Sequence, residues 1–197
     1  MTEKSAFLKT QLWSIILVVL VLAMGVEILL LVQENRELRL ALKVPREPLK
    51  VLNPKEKVPP LTGIDLTGKE VKVEYPSSKK TVLLWFSSDC SSCEDNLEFW
   101  RQIYQKRNSE MLRFFGVTTS EVDKTEEFVK KFQLEFPVLV LSDFSLLEKY
   151  RVEVIPQTML IDSNGVVQKV WPGTLSENHK KEIEAMISSS LKPQEGR

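Results

Sequence analysis

The feature that most constrains this chain is the junction between a continuous apolar run and a closely spaced pair of cysteines. Residues 81–86 read TVLLWF, and residues 90–93 read CSSC. A short continuous apolar run is typical of a central strand that is buried on both faces of a sheet. The polar residues 87–89 end this strand, and a helical pattern follows over residues 91–107. The sequence therefore predicts that Cys90 lies where a central strand gives way to a helix.

The segments around this junction alternate between strand and helix patterns. The predicted strands are Val71–Tyr75, Thr81–Phe86, Leu112–Thr118, Phe136–Val140, Thr158–Ile161 and Val166–Trp171, and the predicted helices are Ser91–Arg107, Glu121–Phe132, Ser145–Tyr150 and Ser176–Ser189. Residues 162–165 (DSNG) have the composition of a hairpin turn between the last two strands. This order predicts an α/β domain in which helices flank a mixed central sheet.

The position of Cys90 favours a reactive thiol. Unpaired backbone N–H groups and the positive end of the helix dipole both stabilise a thiolate at a helix N-terminus. Cys90 is therefore predicted to be the exposed nucleophile. Cys93, one helical turn later, is predicted to be the shielded thiol that resolves a mixed disulfide. The neighbours expected to tune the acidity of Cys90 are Asp89, Ser91 and Ser92.

Other uses of two cysteines fit this sequence less well. A zinc site needs four ligands, but the chain offers two thiols and one remote histidine, His179, which is predicted to be solvated. A c-type haem site needs histidine directly after the second cysteine, where Glu94 stands. An iron–sulfur cluster needs four thiolates. These comparisons favour a redox pair, with no metal and no cofactor beyond a Cys90–Cys93 disulfide.

The length of the chain limits the number of domains, and its net charge limits the class of partner. A chain of 197 residues has room for one ordinary domain with accessory segments. Its 27 basic and 27 acidic side chains cancel, so no strong field favours nucleic acid as a partner.

Residues 12–32 predict a single transmembrane helix that contacts membrane lipid. They are apolar apart from Ser14, Gly25 and Glu27. At about 1.5 Å per residue, the run is long enough to cross a hydrocarbon core of about 30 Å. It exceeds the apolar region of about 7–15 residues in a cleavable signal peptide, so an uncleaved anchor is expected, preceded by a short flank of residues 1–11.

The sequence on either side of this run suggests further features. Lys4 and Lys9 precede the run, but four basic residues follow it, so the positive-inside rule alone favours a cytoplasmic domain. Apolar residues repeat at heptad spacing over residues 24–42, with Asn35 in the same series, which suggests a homodimer. Residues 33–57 are predicted to be a juxtamembrane helix and a proline-rich spacer, residues 58–191 the folded domain, and residues 192–197 a tail.

The folded domain resembles the TlpA/ResA-like thiol–disulfide oxidoreductases of the thioredoxin superfamily. The segments that carry this resemblance are Phe86–Cys93 (FSSDCSSC), Phe136–Val138 (FPV), Val154–Thr158 (VIPQT), Asp162–Val166 (DSNGV) and Pro172–Gly173. The resemblance implies a thioredoxin-like fold and disulfide exchange through Cys90 and Cys93. It further implies a cis peptide bond before Pro156, with Ile155 offering its backbone to an extended substrate segment.

The resemblance also implies a setting for the reaction. The expected substrates are protein disulfides outside the cytoplasm, such as those of apocytochrome c, and the expected electron source is a membrane thiol-reductant donor. Reduction of disulfides is needed mainly where the environment oxidises thiols, which agrees with an anchored domain on the extracytoplasmic, periplasmic side.

The sequence departs from this family at two positions near the cysteines. Members usually have tryptophan directly before the first cysteine, whereas this chain has Asp89. A carboxylate there opposes thiolate formation at Cys90. Several members have a glutamate three residues after the second cysteine, where this chain has Asn96. Both differences bear on the reduction potential and on the choice of partner.

Three alternatives to a disulfide reductant remain at the level of sequence. The same residues would serve a disulfide-forming oxidant, because the direction depends on the reduction potential. A non-enzymatic copper-delivery module on the same fold would use a wider cysteine spacing and a histidine in a loop at the end of the sheet. A peroxidase on this fold would need threonine three residues before its reactive cysteine, where Ser87 stands.

Overall fold

The computed structural model describes residues 13, 17, 19–36 and 49–189. Residues 19–36 form helix α1, and all of its side chains are exposed. Among the described residues, no helix combines the length and the apolar character that a membrane crossing requires. The predicted span 12–32 and the predicted pairing segment 24–42 extend beyond the described residues, so both remain predictions. The predicted flank 1–11 and tail 192–197 lie outside them.

The part of the chain from residue 49 to residue 189 alternates strands and helices. Its elements are β1 (Leu61–Ile64), β2 (Glu70–Val73), β3 (Lys80–Trp85), α2 (Ser91–Gln105), β4 (Leu112–Thr118), α3 (Val122–Phe132), β5 (Val138–Val140), α4 (Ser145–Lys149), β6 (Gln157–Ile161), β7 (Val167–Pro172) and α5 (Glu177–Ser189).

The strands form one mixed sheet in the order β2-β1-β5-β4-β3-β6-β7. Strand β3 runs parallel to β4, with Trp85 opposite Val117, and antiparallel to β6, with Trp85 opposite Gln157. The loop after β3 and the loop before β6 therefore lie at the same end of the sheet. This end carries both the cysteines and Pro156.

Strand β3 is buried on both faces, as its continuous apolar sequence predicts. Val82 and Leu84 belong to one core cluster with residues of α2, α3 and α5. Leu83 and Trp85 belong to a second cluster with residues of α4 and of the segment before β1. Because successive side chains of a strand point to opposite faces, the two clusters lie on the two sides of the sheet.

The outermost strands are protected in different ways. At β7, the N–H of Lys55 donates to the carbonyl oxygen of Val167 at 2.9 Å, and the N–H of Val167 donates to that of Glu56 at 2.8 Å. A short preceding segment therefore covers the start of this strand. At β2, Lys72 forms an exposed ion pair with Glu74 at 2.6 Å.

The compact unit begins at Leu49, before the predicted start at Val58. Leu52 in the predicted spacer is buried in the second core cluster. Tyr150 also fastens the start of the domain, since its hydroxyl donates to the carbonyl oxygen of Pro59 at 2.6 Å. Burial raises the pKa of Tyr150 well above its usual value, so the phenol keeps the proton that it donates.

The predicted α/β fold with a mixed sheet is confirmed, and the predicted elements after residue 80 recur with small shifts at their ends. Strand β1 was missed. It is four residues long, follows two prolines and contains Gly63, so its sequence has weak strand character. His179 also differs from prediction: it is partly buried, and its Nδ1 has neither solvent access nor a hydrogen-bond partner.

Candidate active site

The loop after β3 is held by side chains at the end of β4. The N–H of Ser88 donates to Oγ of Ser120 at 3.1 Å, and the hydroxyls of Ser87 and Ser120 lie 3.2 Å apart. Ser120 is fixed in turn, because its N–H donates to Oγ1 of the buried Thr118 at 3.1 Å. These bonds attach the residues before Cys90 to the neighbouring strand.

Cys90 is the N-cap residue of α2, as the sequence predicts, and it forms a disulfide with Cys93. The two Cα atoms lie 5.3 Å apart. Cys90 is partly exposed, whereas Cys93 is fully buried at 0% exposure in the core cluster that contains Phe86 and Trp100. An incoming thiol or disulfide therefore reaches Cys90 and not Cys93.

Ser91 and Ser92 are both exposed on the first turn of α2. Oγ of Ser92 lies 3.2 Å from Sγ of Cys90. A disulfide sulfur has no proton, so the Ser92 hydroxyl is the donor in this state. The same hydroxyl is placed to donate to a thiolate after reduction, and such a bond stabilises the charged form.

The acidic residues beside Cys90 face lysines of α3. Asp89 is exposed. The pKa of Lys124 is raised, first by its hydrogen bond and ion pair with Glu121 and further by the charge of Asp89. Glu94 forms an ion pair with Lys131 at 3.6 Å. The two lysines therefore offset part of the negative charge that opposes thiolate formation at Cys90.

The predicted substrate-binding residues lie immediately before β6. The Ile155–Pro156 peptide bond is cis, and Pro156 is buried while Ile155 is 36% exposed. The carbonyl oxygen of Pro156 accepts a hydrogen bond from the N–H of Gly173 at 2.7 Å. A cavity of about 170 Å³ lies beside Ile155, with Trp85 and Leu147 in its wall.

Asn96 and Trp100 connect α2 to the strands at this end of the sheet. Asn96 is 0% exposed; its Nδ2 donates to the carbonyl oxygen of Gly173 at 3.3 Å, and its Oδ1 accepts from the N–H of Leu175 at 2.8 Å. Nε1 of Trp100 donates to Oγ1 of Thr158 at 3.0 Å. The helix that carries both cysteines is thereby fixed against β6 and the segment after β7.

Sequence reasoning missed several of these residues. Ser120 and Lys124 each act through a partner on a different element. Gly173 carried part of the family resemblance, but its hydrogen bond to Asn96 was not predicted. Asn96 was noted only as a departure from a family pattern. The separations of 77 and 79 residues between Asn96 and its partners leave no local signal of these contacts.

Comparison with known proteins places this site in a family. Residues 54–170 match the AhpC/TSA family. This chain belongs to the AhpC/TSA family. Among curated relatives, it is 28% identical over 124 residues to the thiol–disulfide oxidoreductase ResA of Geobacillus thermodenitrificans, covering 62% of this chain and 71% of the relative. It is also 28% identical over 130 residues to the protein of that name from Geobacillus kaustophilus, covering 66% and 72%.

Solved structures share the fold. The thiol:disulfide interchange protein DsbE from Chlorobium tepidum superposes with a TM-score of 0.64 at 22% identity, covering 72% of this chain and 99% of that one. StoA from Bacillus subtilis superposes with a TM-score of 0.55 at 21% identity, covering 66% and 98%. The family, the fold and the close pair Cys90–Cys93 identify a thiol–disulfide oxidoreductase of the ResA and DsbE type.

The charge of Asp89 provides a direct test of how the site controls Cys90. We expect Asp89→Asn to increase the rate at which reduced Cys90 is alkylated by iodoacetamide at pH 7 by about two- to fivefold. The reason is that loss of a neighbouring negative charge favours the thiolate, and an exposed charge interaction is worth up to about 1 kcal/mol. The rate is measured by mass spectrometry of the peptide that contains Cys90.

Glu110→Gln is the matched control, because Glu110 is exposed and precedes β4, at the opposite end of the sheet from Cys90. It makes the same change in net charge and is expected to leave the alkylation rate unchanged. Equal rates for wild type and Asp89→Asn would show that Asp89 does not control the thiolate.

Proposed function

We propose that this chain is a membrane-anchored reductant that opens disulfides in proteins outside the cytoplasm. The observation that carries the proposal is the difference between the two cysteines: Cys90 is partly exposed at the N-terminus of α2, and Cys93 is fully buried one turn later. This arrangement gives one sulfur access to a protein substrate and keeps the other for an intramolecular step.

The reaction follows from this geometry in two exchanges. The thiolate of reduced Cys90 attacks one sulfur of the client disulfide, so that a Cys90–client bond forms and the other client sulfur leaves as a thiolate. Cys93 then loses its proton and attacks Sγ of Cys90. The mixed disulfide breaks, the client leaves as a dithiol, and the Cys90–Cys93 disulfide remains. Two electrons have passed from the protein to the client.

Ile155 and Pro156 supply the proposed contact with the client. Ile155 is exposed at the end of the sheet that carries Cys90, so its backbone is available to an extended segment that contains the client disulfide. The adjacent cavity of about 170 Å³ is mostly apolar in its lining and suits a side chain of that segment. A protein substrate is favoured over a small thiol because these features extend beyond the cysteine pair.

The proposed client class and electron source rest on the resemblance to TlpA/ResA-like proteins. Apocytochrome c has haem-binding thiols that must be reduced, and its disulfide is the representative client. The oxidised protein would then be reduced again by a membrane thiol donor. An anchored position near the membrane would bring the domain within reach of such a donor.

The proposed anchor rests on residues 12–32, which form an almost uninterrupted apolar run. Its described residues are helical, and their side chains are exposed, including Leu22 and Leu29 at 65% each. Exposed apolar surface of this kind is stabilised by lipid. The same helix contributes to the proposed homodimer segment 24–42.

The reduction potential tests the direction of the reaction. We expect the Cys90–Cys93 couple to have a potential well below about −200 mV, toward the value of about −270 mV known for thioredoxin. It is measured by equilibrating the protein in dithiothreitol or glutathione buffers and quantifying free thiols. A value near about −120 mV would instead identify a disulfide-forming oxidant. Failure to form any reversible disulfide would overturn the catalytic assignment.

Trapping tests the separate roles of the two cysteines. We expect Cys93→Ser to accumulate mixed disulfides between Cys90 and client proteins, because the resolving thiol is missing. Cys90→Ser is the matched control and is expected to accumulate none, since Cys93 is buried. The products are separated on non-reducing gels and identified by mass spectrometry. Equal trapping by both variants would contradict the assigned roles.

Paired arginine substitutions test the anchor. We expect Leu22→Arg with Leu29→Arg to release the protein from membranes washed with carbonate, because an arginine inside a span is costly, by about 2.5–3.5 kcal/mol at the span centre where Leu22 lies. Asn35→Arg is the control, because Asn35 lies beyond the apolar run, and this variant should stay membrane-bound.

In intact cells, a membrane-impermeant maleimide should label reduced Cys90. Labelling only after lysis would place the domain in the cytoplasm.

A further inference from the structure

We infer that Asn96 is a positioning residue for disulfide exchange, which holds the client-binding segment at Pro156 in place relative to the helix that carries the cysteines. This inference rests on the proposed function, since it concerns how a protein client is presented to Cys90. Asn96 does not touch the reacting sulfurs in any described contact, so its effect is exerted through the segment after β7.

The first observation is that Asn96 uses both ends of its amide. It lies three residues after Cys93 on α2, a spacing that places both on one face of the helix. Both side chains are 0% exposed. Nδ2 of Asn96 donates to the carbonyl oxygen of Gly173 at 3.3 Å, and Oδ1 accepts from the N–H of Leu175 at 2.8 Å. The amide is therefore held from two sides.

The second observation is that Gly173 continues this connection to the client-binding segment. The N–H of Gly173 donates to the carbonyl oxygen of Pro156 at 2.7 Å. The carbonyl oxygen of Gly173 thus bonds to Asn96 while its N–H bonds to Pro156, so Gly173 links these two residues through two hydrogen bonds. The backbone of Gly173 has a φ of +80°, a conformation that favours glycine. The link between Asn96 and Pro156 therefore also depends on having glycine at this position.

The chemistry of the two bonds selects an amide at this position. One partner is a carbonyl oxygen and needs a donor; the other is an N–H group and needs an acceptor. An ionised carboxylate is an acceptor only and would face the Gly173 oxygen without a hydrogen. A fully satisfied buried network has one preferred geometry, whereas a partly satisfied one does not. The amide therefore fixes the distance between α2 and Pro156.

A purely structural role for Asn96 makes a different prediction. Loss of a structural bond would weaken the whole domain and would affect every reaction of the cysteine pair alike. Loss of a positioning bond would affect a client that must contact Ile155 and Pro156, but not a small dithiol that reaches Cys90 directly. The two roles are separated by comparing a peptide disulfide with dithiothreitol.

The test uses the full chain with Asn96→Ala. The peptide reaction is the reduction of a short extended peptide with one internal disulfide that joins a fluorophore to a quencher. We expect KM for this peptide to rise by about 10- to 100-fold with kcat changed by less than about threefold, because a binding contact that is equal in the ground and transition states is lost. Reduction of the Cys90–Cys93 disulfide by dithiothreitol, followed by thiol quantification, should change by less than about twofold.

Two further variants complete the experiment. Ile103→Val is the control, because Ile103 is buried on the same helix two turns from Asn96, and it should leave both reactions unchanged. Asn96→Asp serves if Asn96→Ala does not fold. It keeps the size and the acceptor for the Leu175 N–H but loses the donor to the Gly173 oxygen, and we expect a rise in the same KM.

The outcomes distinguish this inference from the proposed function. If the wild-type chain does not reduce the peptide disulfide, the proposed function fails and the inference falls with it. If the wild type is active and the Asn96 variants lose both reactions equally, or lose neither, the positioning role alone is overturned. A rise in KM restricted to the peptide supports it.

Discussion

Burial of β3 on both faces is the constraint that positions the end of the sheet where the cysteines and Pro156 lie. Because its side chains fill cores on two sides, the strand is held in register with β4 and with β6 at the same time. The chain leaves the sheet directly after Phe86, and α2 begins within a few residues. Cys90 and Pro156 therefore lie at the same end of the sheet, although 66 residues of sequence separate them.

The surroundings of Cys90 and Cys93 differ in charge and exposure. The exposed side is charged, with acidic residues beside Cys90 and lysines of α3 opposite them. On the inner side, none of the fully buried residues in the described part of the chain is a carboxylate or an amine. Cys93 thus lies among apolar groups. The site controls charge at its surface and geometry in its interior.

The sequence predicted this fold well wherever burial leaves a periodic pattern. The apolar run at β3 and the turn before β7 each carry a local signal, and both formed as expected. Strand β1 gave no such signal, because it is held in place by pairing with β2 and β5. The close approach of β5 also explains Gly63, where an added Cβ would lie 2.6 Å from the Val140 carbonyl oxygen. Within the site, the cysteines were evident, but the contacts of Asn96 and Ser120 depend on distant partners.

The outer strands of the sheet have a consequence for a thiol–disulfide oxidoreductase, whose substrates are disulfides in other proteins. An extended polypeptide can add to an unprotected outer strand through backbone hydrogen bonds, which is a route to aggregation. Here the β2 edge carries exposed charges at Glu70 and Lys72, and residues 55–57 cover the start of β7. Such edges disfavour capture of an unfolded chain by strand addition.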